Sequence, residues 1–65
     1  MKIRYFIDTD TLFMEFSDAQ SVETRELDEN TIIDVDASGQ VCALTLEHAS
    51  TRAGAPSFTY EQVTA

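Results

Sequence analysis

The chain has 65 residues, a formal net charge of −8 and 43% hydrophobic residues. That length holds one small domain and falls below the roughly 70–80 residues at which a single core suffices, while the single cysteine rules out a disulfide within the chain. Recurrent Ile, Leu, Val, Phe and Tyr argue against disorder, no apolar run approaches the roughly 18 residues of a membrane span, and four basic residues (Lys2, Arg4, Arg25 and Arg52) against twelve acids argue against nucleic acid or an anionic membrane as partner.

The dominant signal is period two, which predicts strands. Residues 2–7 and 12–17 flank Asp8-Thr9-Asp10-Thr11, a polar turn sequence, and are read as a hairpin. The expected register pairs Ile7 with Leu12, Tyr5 with Met14 and Ile3 with Phe16 on one apolar face. It pairs Phe6 with Phe13, Arg4 with Glu15 and Lys2 with Ser17 on the other. Residues 22–27 read as a polar strand near an edge, where charge discourages unwanted strand addition. After a turn at Asp28-Glu29-Asn30, residues 31–36 and 40–47 form a second expected hairpin around Ala37-Ser38-Gly39, pairing Val35 with Val41 and Ile33 with Ala43. In that register Val41 falls on one face and Leu44 and Leu46 on the other. Either both faces of this strand are covered, or a bulge near Cys42–Ala43 shifts the phase. Residues 48–57 read as a loop, and Phe58–Val63 suits either a strand or a short helix. The expectation is a mainly β domain: a small antiparallel meander of about five strands with a short C-terminal helix or strand.

Few residues invite chemistry. Asp34-Val-Asp36-Ala-Ser38-Gly39 matches the opening of a calcium loop, but the twelfth position is Thr45 rather than a bidentate Glu, and the flanks alternate like strands. The reading is a hairpin turn. Asp8 and Asp10 suit a turn equally well. Cys42 and His48, the only residues of their kinds, lie six apart on an extended strand, about 20 Å, which separates a nucleophile from a base. Cys42 is read as a small buried hydrophobe and His48 as a loop residue. No catalytic residue, metal ligand or cofactor is assigned and no enzyme activity is expected, a metal-dependent enzyme being the least favoured alternative. The early Asp8 after a short apolar stretch predicts no signal peptide, and a single free cysteine predicts the cytoplasm.

The opening Met-Lys-Ile-Arg-Tyr, the Asp-x-Asp turn at 8–10, Leu12-Phe13-x-x-Phe16-Ser17-Asp18, Glu23-Thr24-Arg25-Glu26, Ile32-Ile33-Asp34-Val35-Asp36 with Gly39, and Leu44-x-Leu46-Glu47-x-Ala49-Ser50 together resemble the short bacterial domain-of-unknown-function family 2283 over about residues 1–50. The resemblance implies a small antiparallel β-meander with no established activity. Gly is common near position 43 in relatives, where this chain has Ala43, which is consistent with a bulge. Relatives encoded beside small toxin-like proteins imply an antitoxin or accessory role for a basic partner. Many relatives end in a helix, a pattern the tail after Ser50 departs from.

The apolar residues occupy more faces than one short chain covers, so the expected partner is a second copy, with a basic protein as the alternative. The candidate interface residues are Phe6, Phe13, Ile32, Leu44, Leu46, Phe58 and Tyr60. The turn reading of residues 34–39 has a direct check: millimolar calcium leaves the melting temperature unchanged, and a saturable upward shift overturns it.

Overall fold

The computed structural model describes residues 1–64. Five antiparallel strands, β1 (Lys2–Phe6), β2 (Thr11–Glu15), β3 (Ser21–Asp28), β4 (Thr31–Asp36) and β5 (Val41–Glu47), are followed by the short helix α1 (Ala49–Ala53). They form one sheet in the order β1-β2-β5-β4-β3. The two hairpins β1–β2 and β4–β5 are thus joined along β2 and β5, and β3 lies at an edge as its charge pattern predicts. Residues 58–64 form neither strand nor helix.

The first hairpin keeps its predicted faces but not its predicted register. Lys2 pairs with Glu15, Ile3 with Met14, Arg4 with Phe13, Tyr5 with Leu12 and Phe6 with Thr11. Each partner is displaced by two residues, so every side chain stays on its expected side. Ile7 falls in the turn and is 81% exposed, and Phe16 lies just beyond β2. The cause is the last turn position, which requires a positive φ. Asp10 takes it at φ 54. The expected register would have put Thr11 there, and a β-branched residue resists the left-handed region that Asp tolerates.

The second hairpin turns where expected, with Gly39 at φ 88, a conformation suited to a residue without a Cβ. Val35 pairs with Val41, but Asp34 pairs with Ala43 and Ile33 with Leu44, not Ala43. Cys42 is the extra residue of a bulge. The bulge moves Val41 into phase with Leu44 and Leu46, so all three share a face with Ile33 and Val35. On β3, register shifts at both ends leave Val22 and Leu27 without cross-strand partners, and both are exposed. Such bulges twist an edge away from further strand pairing.

The loop expected over 48–57 contains α1. His48, at φ 56, reverses the chain after β5. The His48 side chain makes no capping bond. Asp10 supplies the cap from the first hairpin: its carbonyl accepts from the Ala49 N–H at 3.0 Å, Oδ1 from the Ser50 N–H at 3.0 Å, and Oδ2 from the Ser50 hydroxyl at 2.7 Å. The Tyr5 hydroxyl also donates to Asp10 Oδ1. Arg52 anchors the other end. Its guanidinium donates to the carbonyls of Asn30 and Glu47 and to the Thr31 hydroxyl, and lies 3.5 Å from Asp28 Oδ2. Gly54, at φ 73, ends the helix. A one-turn helix has almost no stability of its own, so these anchors decide that it forms. Periodicity cannot show a helix of five residues.

With α1 and the segment after it on one side of the sheet, Ile3, Tyr5, Leu12, Met14, Leu44, Leu46, Ile33 and Val35 form the covered face. The buried apolar residues are Ile33, Val35, Cys42, Ala43, Ala49 and Ala55, and no large side chain is completely buried among the described residues. The molecule measures 35 × 32 × 18 Å, a slab one sheet thick with a partial second layer.

Hydrogen bonds to three turn carboxylates set an acid limit on this fold. Asp10 is held below the ordinary aspartate range first by the Tyr5 hydroxyl and then by Ser50, Asp28 by the Asn30 N–H and the Thr31 hydroxyl, and Asp36 by the Ser38 hydroxyl and the Gln40 N–H. Groups depressed in the folded state stabilise it above their unfolded value and lose that contribution as pH falls through the folded one. The melting temperature is therefore expected to fall as pH drops below about 4, the ordinary aspartate value. In Asp10→Asn the melting temperature starts lower at neutral pH and falls less steeply in acid. An acid profile identical to that of the wild type would overturn the role given to Asp10.

Candidate functional site

Among the described residues no helix or strand forms a second layer on the opposite side of the sheet, and the composition of that side follows from alternation. Direct cross-strand partners point the same way, so three rows can be read from the pairings. The first is Phe6, Thr11 and Glu47. The second is Arg4, Phe13, Thr45, Ile32 and Glu26. The third is Lys2, Glu15, Ala43, Asp34 and Thr24.

The centre of this open face is apolar, with Phe13, Ile32 and Ala43 around Thr45. Phe6 is 48% exposed at one corner, while Phe13 and Ile32 are half-buried by their neighbours alone. The rim is charged and divided. Both bases, Lys2 and Arg4, lie on β1 at one edge, Asp34 and Glu26 lie on the β4–β3 side, and Glu15 on β2 and Glu47 on β5 lie between them. Among the described residues neither base takes part in an ion pair; the two that form are Arg25–Glu23 and Arg52–Asp28. An apolar centre with a polar rim is the anatomy of a protein-binding surface.

The candidate interface residues divide between the two faces. Phe6, Phe13 and Ile32 come together on the open face. Leu44 and Leu46 lie on the covered face, half-buried beside Met14 and Leu12. Phe58 and Tyr60 lie outside the sheet at 66% and 72% exposure. Phe58 borders an apolar groove of about 320 Å³ between Ile3, Tyr5 and Leu12 on the sheet and Ala53, Ala55 and Pro56 beyond it. The Ala55–Pro56 peptide is cis.

The remaining chemistry-bearing side chains serve the fold. Asp36 Oδ1 accepts from the Ser38 N–H, the Ser38 hydroxyl and the Gln40 N–H, as an aspartate-led turn requires. Asp34, its neighbour in the calcium-loop match, lies on the sheet, where it accepts from the hydroxyls of Ser21 and Thr24. Cys42 is buried at 3% exposure with its thiol directed at the Asp34 carbonyl, and His48 is exposed beyond β5. Among the described residues, no three His, Cys, Asp or Glu side chains converge as metal ligands, and no helix is long and apolar enough to cross a membrane. Sequence reasoning missed Ser50 and Arg52, and it gave Asp10 only a turn. The Asp10–Ser50 contact spans 40 residues, and no local pattern signals it. Ala43 was expected to oppose Ile33. Only the bulge brings it to the centre of the open face.

A family described as "Protein of unknown function (DUF2283)" matches residues 2–50. No curated protein and no solved structure gives a significant match.

The position of Cys42 in the bulge has a chemical consequence. A buried thiol reacts slowly because a reagent must wait for the fold to open. In native buffer an aromatic disulfide reagent is expected to label Cys42 at least about tenfold more slowly than in denaturant. Equal rates would place the thiol at the surface.

Proposed function

The chain belongs to that family, and because membership brings no activity with it, we propose from the sheet itself that the protein is a non-enzymatic interaction module working as a homodimer, with the open face as the surface covered. One observation carries this reading. Helix α1 and the segment after it cover one side of the sheet only, and among the described residues no large apolar side chain is completely buried. A sheet apolar on both sides needs a layer on each. Fully burying an exposed Phe or Ile contributes roughly 1.5–3 kcal/mol, and because Phe6, Phe13 and Ile32 are already about half covered, enclosing them contributes roughly half of that for each. A second copy is the simplest layer, because the same patch serves both partners.

The absence of an expected activity follows the same residues. Asp10, Asp28 and Asp36 are engaged in turn and cap bonds, and Cys42 and His48 do not meet. The net charge of −8 supports a second reading, an accessory protein or antitoxin whose open face takes a basic protein in place of the second copy. Localisation in the cytoplasm belongs with either reading.

Light scattering at tens of micromolar is expected to give the mass of two chains, and Phe13→Asp that of one. A cooperatively folded wild-type monomer at that concentration overturns the homodimer. Co-purification of a co-expressed, basic neighbouring gene product at low salt, lost at high salt, would then favour the second reading.

A further inference from the structure

One row of the open face is self-complementary. It takes one residue from every strand, Arg4 (β1), Phe13 (β2), Thr45 (β5), Ile32 (β4) and Glu26 (β3), with Thr45 at its middle. Base and acid stand at opposite ends, and the two large apolar residues flank the centre. Within one chain the ends are four strand spacings apart, about 19 Å, so Arg4 and Glu26 do not pair with each other. Both are exposed.

We propose that two copies pack open face to open face about a two-fold axis running along β5, so that Arg4 of each copy meets the partner's Glu26 and Phe13 meets the partner's Ile32. This rests on the homodimer reading above and adds the register of the two sheets and the residues that enforce it. For sheets packed with their strands aligned, two in-plane two-fold axes are open. An axis along the row lays β1 on β1, setting Arg4 against Arg4 and Glu26 against Glu26. Like charges opposed in this way disfavour association. An axis along β5 lays β1 on β3, so the basic edge of each copy meets the acidic side of the other. Thr45 then lies against Thr45 on the axis and Ala43 against Ala43, two small contacts that allow the sheets to approach the usual spacing of about 10 Å. Glu47 faces Glu47 at the end of β5, a like-charge contact that opposes the pairing in part.

Sheet twist leaves this pairing within reach. Packed sheets align at about 30°, and Arg4 and Glu26 each lie two strands from the axis, about 10 Å, so the angle displaces them by about 5 Å along the strands. Arg and Glu side chains span that offset. The third row opposes Glu15 to Asp34, but Lys2 is the direct cross-strand neighbour of Glu15 in its own chain and lies beside both acids.

The test is a charge exchange on the full chain. Sedimentation equilibrium of Arg4→Glu and Glu26→Arg is expected to show each dimer dissociation constant raised by about tenfold or more, since each change opposes like charges at two symmetric places. An equimolar mixture of the two variants restores attraction at both places. Native mass spectrometry is expected to show the heterodimer in excess over both homodimers, and the double variant Arg4→Glu/Glu26→Arg is expected to dimerise like the wild type. Recovery in the mixture also shows that both variants are folded. If both single variants dimerise like the wild type while Phe13→Asp does not, the two-fold along β5 is wrong and the open face remains the interface. If Phe13→Asp dimerises as well, the homodimer through this face fails with it.

Discussion

A single carboxylate links the two ends of this fold. Asp10 closes the first hairpin in the left-handed conformation, receives the Tyr5 hydroxyl, and caps α1 through Ser50. Each of these contacts limits the others. The left-handed residue fixes where the hairpin turns and so which residues of β1 and β2 are partners. The cap holds a five-residue helix that has no intrinsic stability against the side of the sheet to which Tyr5 points. Arg52 secures the same helix from the opposite turn, between β3 and β4. The helix is therefore pinned between two turns at the same end of the strands, and the covered face is decided by two polar side chains more than by the helix's own apolar surface.

The open face follows from that placement. A chain of this length has material for one sheet and a fraction of a second layer, so a helix committed to one side leaves the other to solvent or to a partner. What remains there is Phe6, Phe13, Ile32 and Ala43 inside a charged rim, with both bases at the β1 edge and an acid on each of the other strands, Glu15, Glu47, Asp34 and Glu26. A rim divided by sign sets orientation as well as attraction. Charge at the edge of an interface selects the register, and the apolar centre supplies most of the binding energy.

The acidity that dominates the composition does several jobs and forms no cluster. Asp10, Asp28 and Asp36 accept backbone and hydroxyl hydrogen bonds in turns. Glu23 pairs with Arg25 on the exposed edge strand β3, whose bulges and charge keep it from extending the sheet. The charge and bulges of β3 thus protect that edge of the sheet.

The sequence by itself determined what depends on near neighbours: five strands, three of the turns between them, the polar edge strand, and which side chains share a face in the first hairpin. Alternation is a local property, and it survives a register shift of two residues, which is why Phe6 and Phe13 were placed correctly while their partners were not. The bulge at Cys42 was legible only as a phase conflict between Val41 and Leu44. The tertiary structure chose between bulge and two covered faces, because an extra residue is accommodated only where a neighbouring strand permits it. It also decided the existence of α1, the exact hairpin register and the separation of Leu44 and Leu46 from Ile32. These rest on contacts such as Asp10 with Ser50 and Arg52 with Asn30, made between residues far apart in the chain, where a single hydrogen bond leaves no periodic trace.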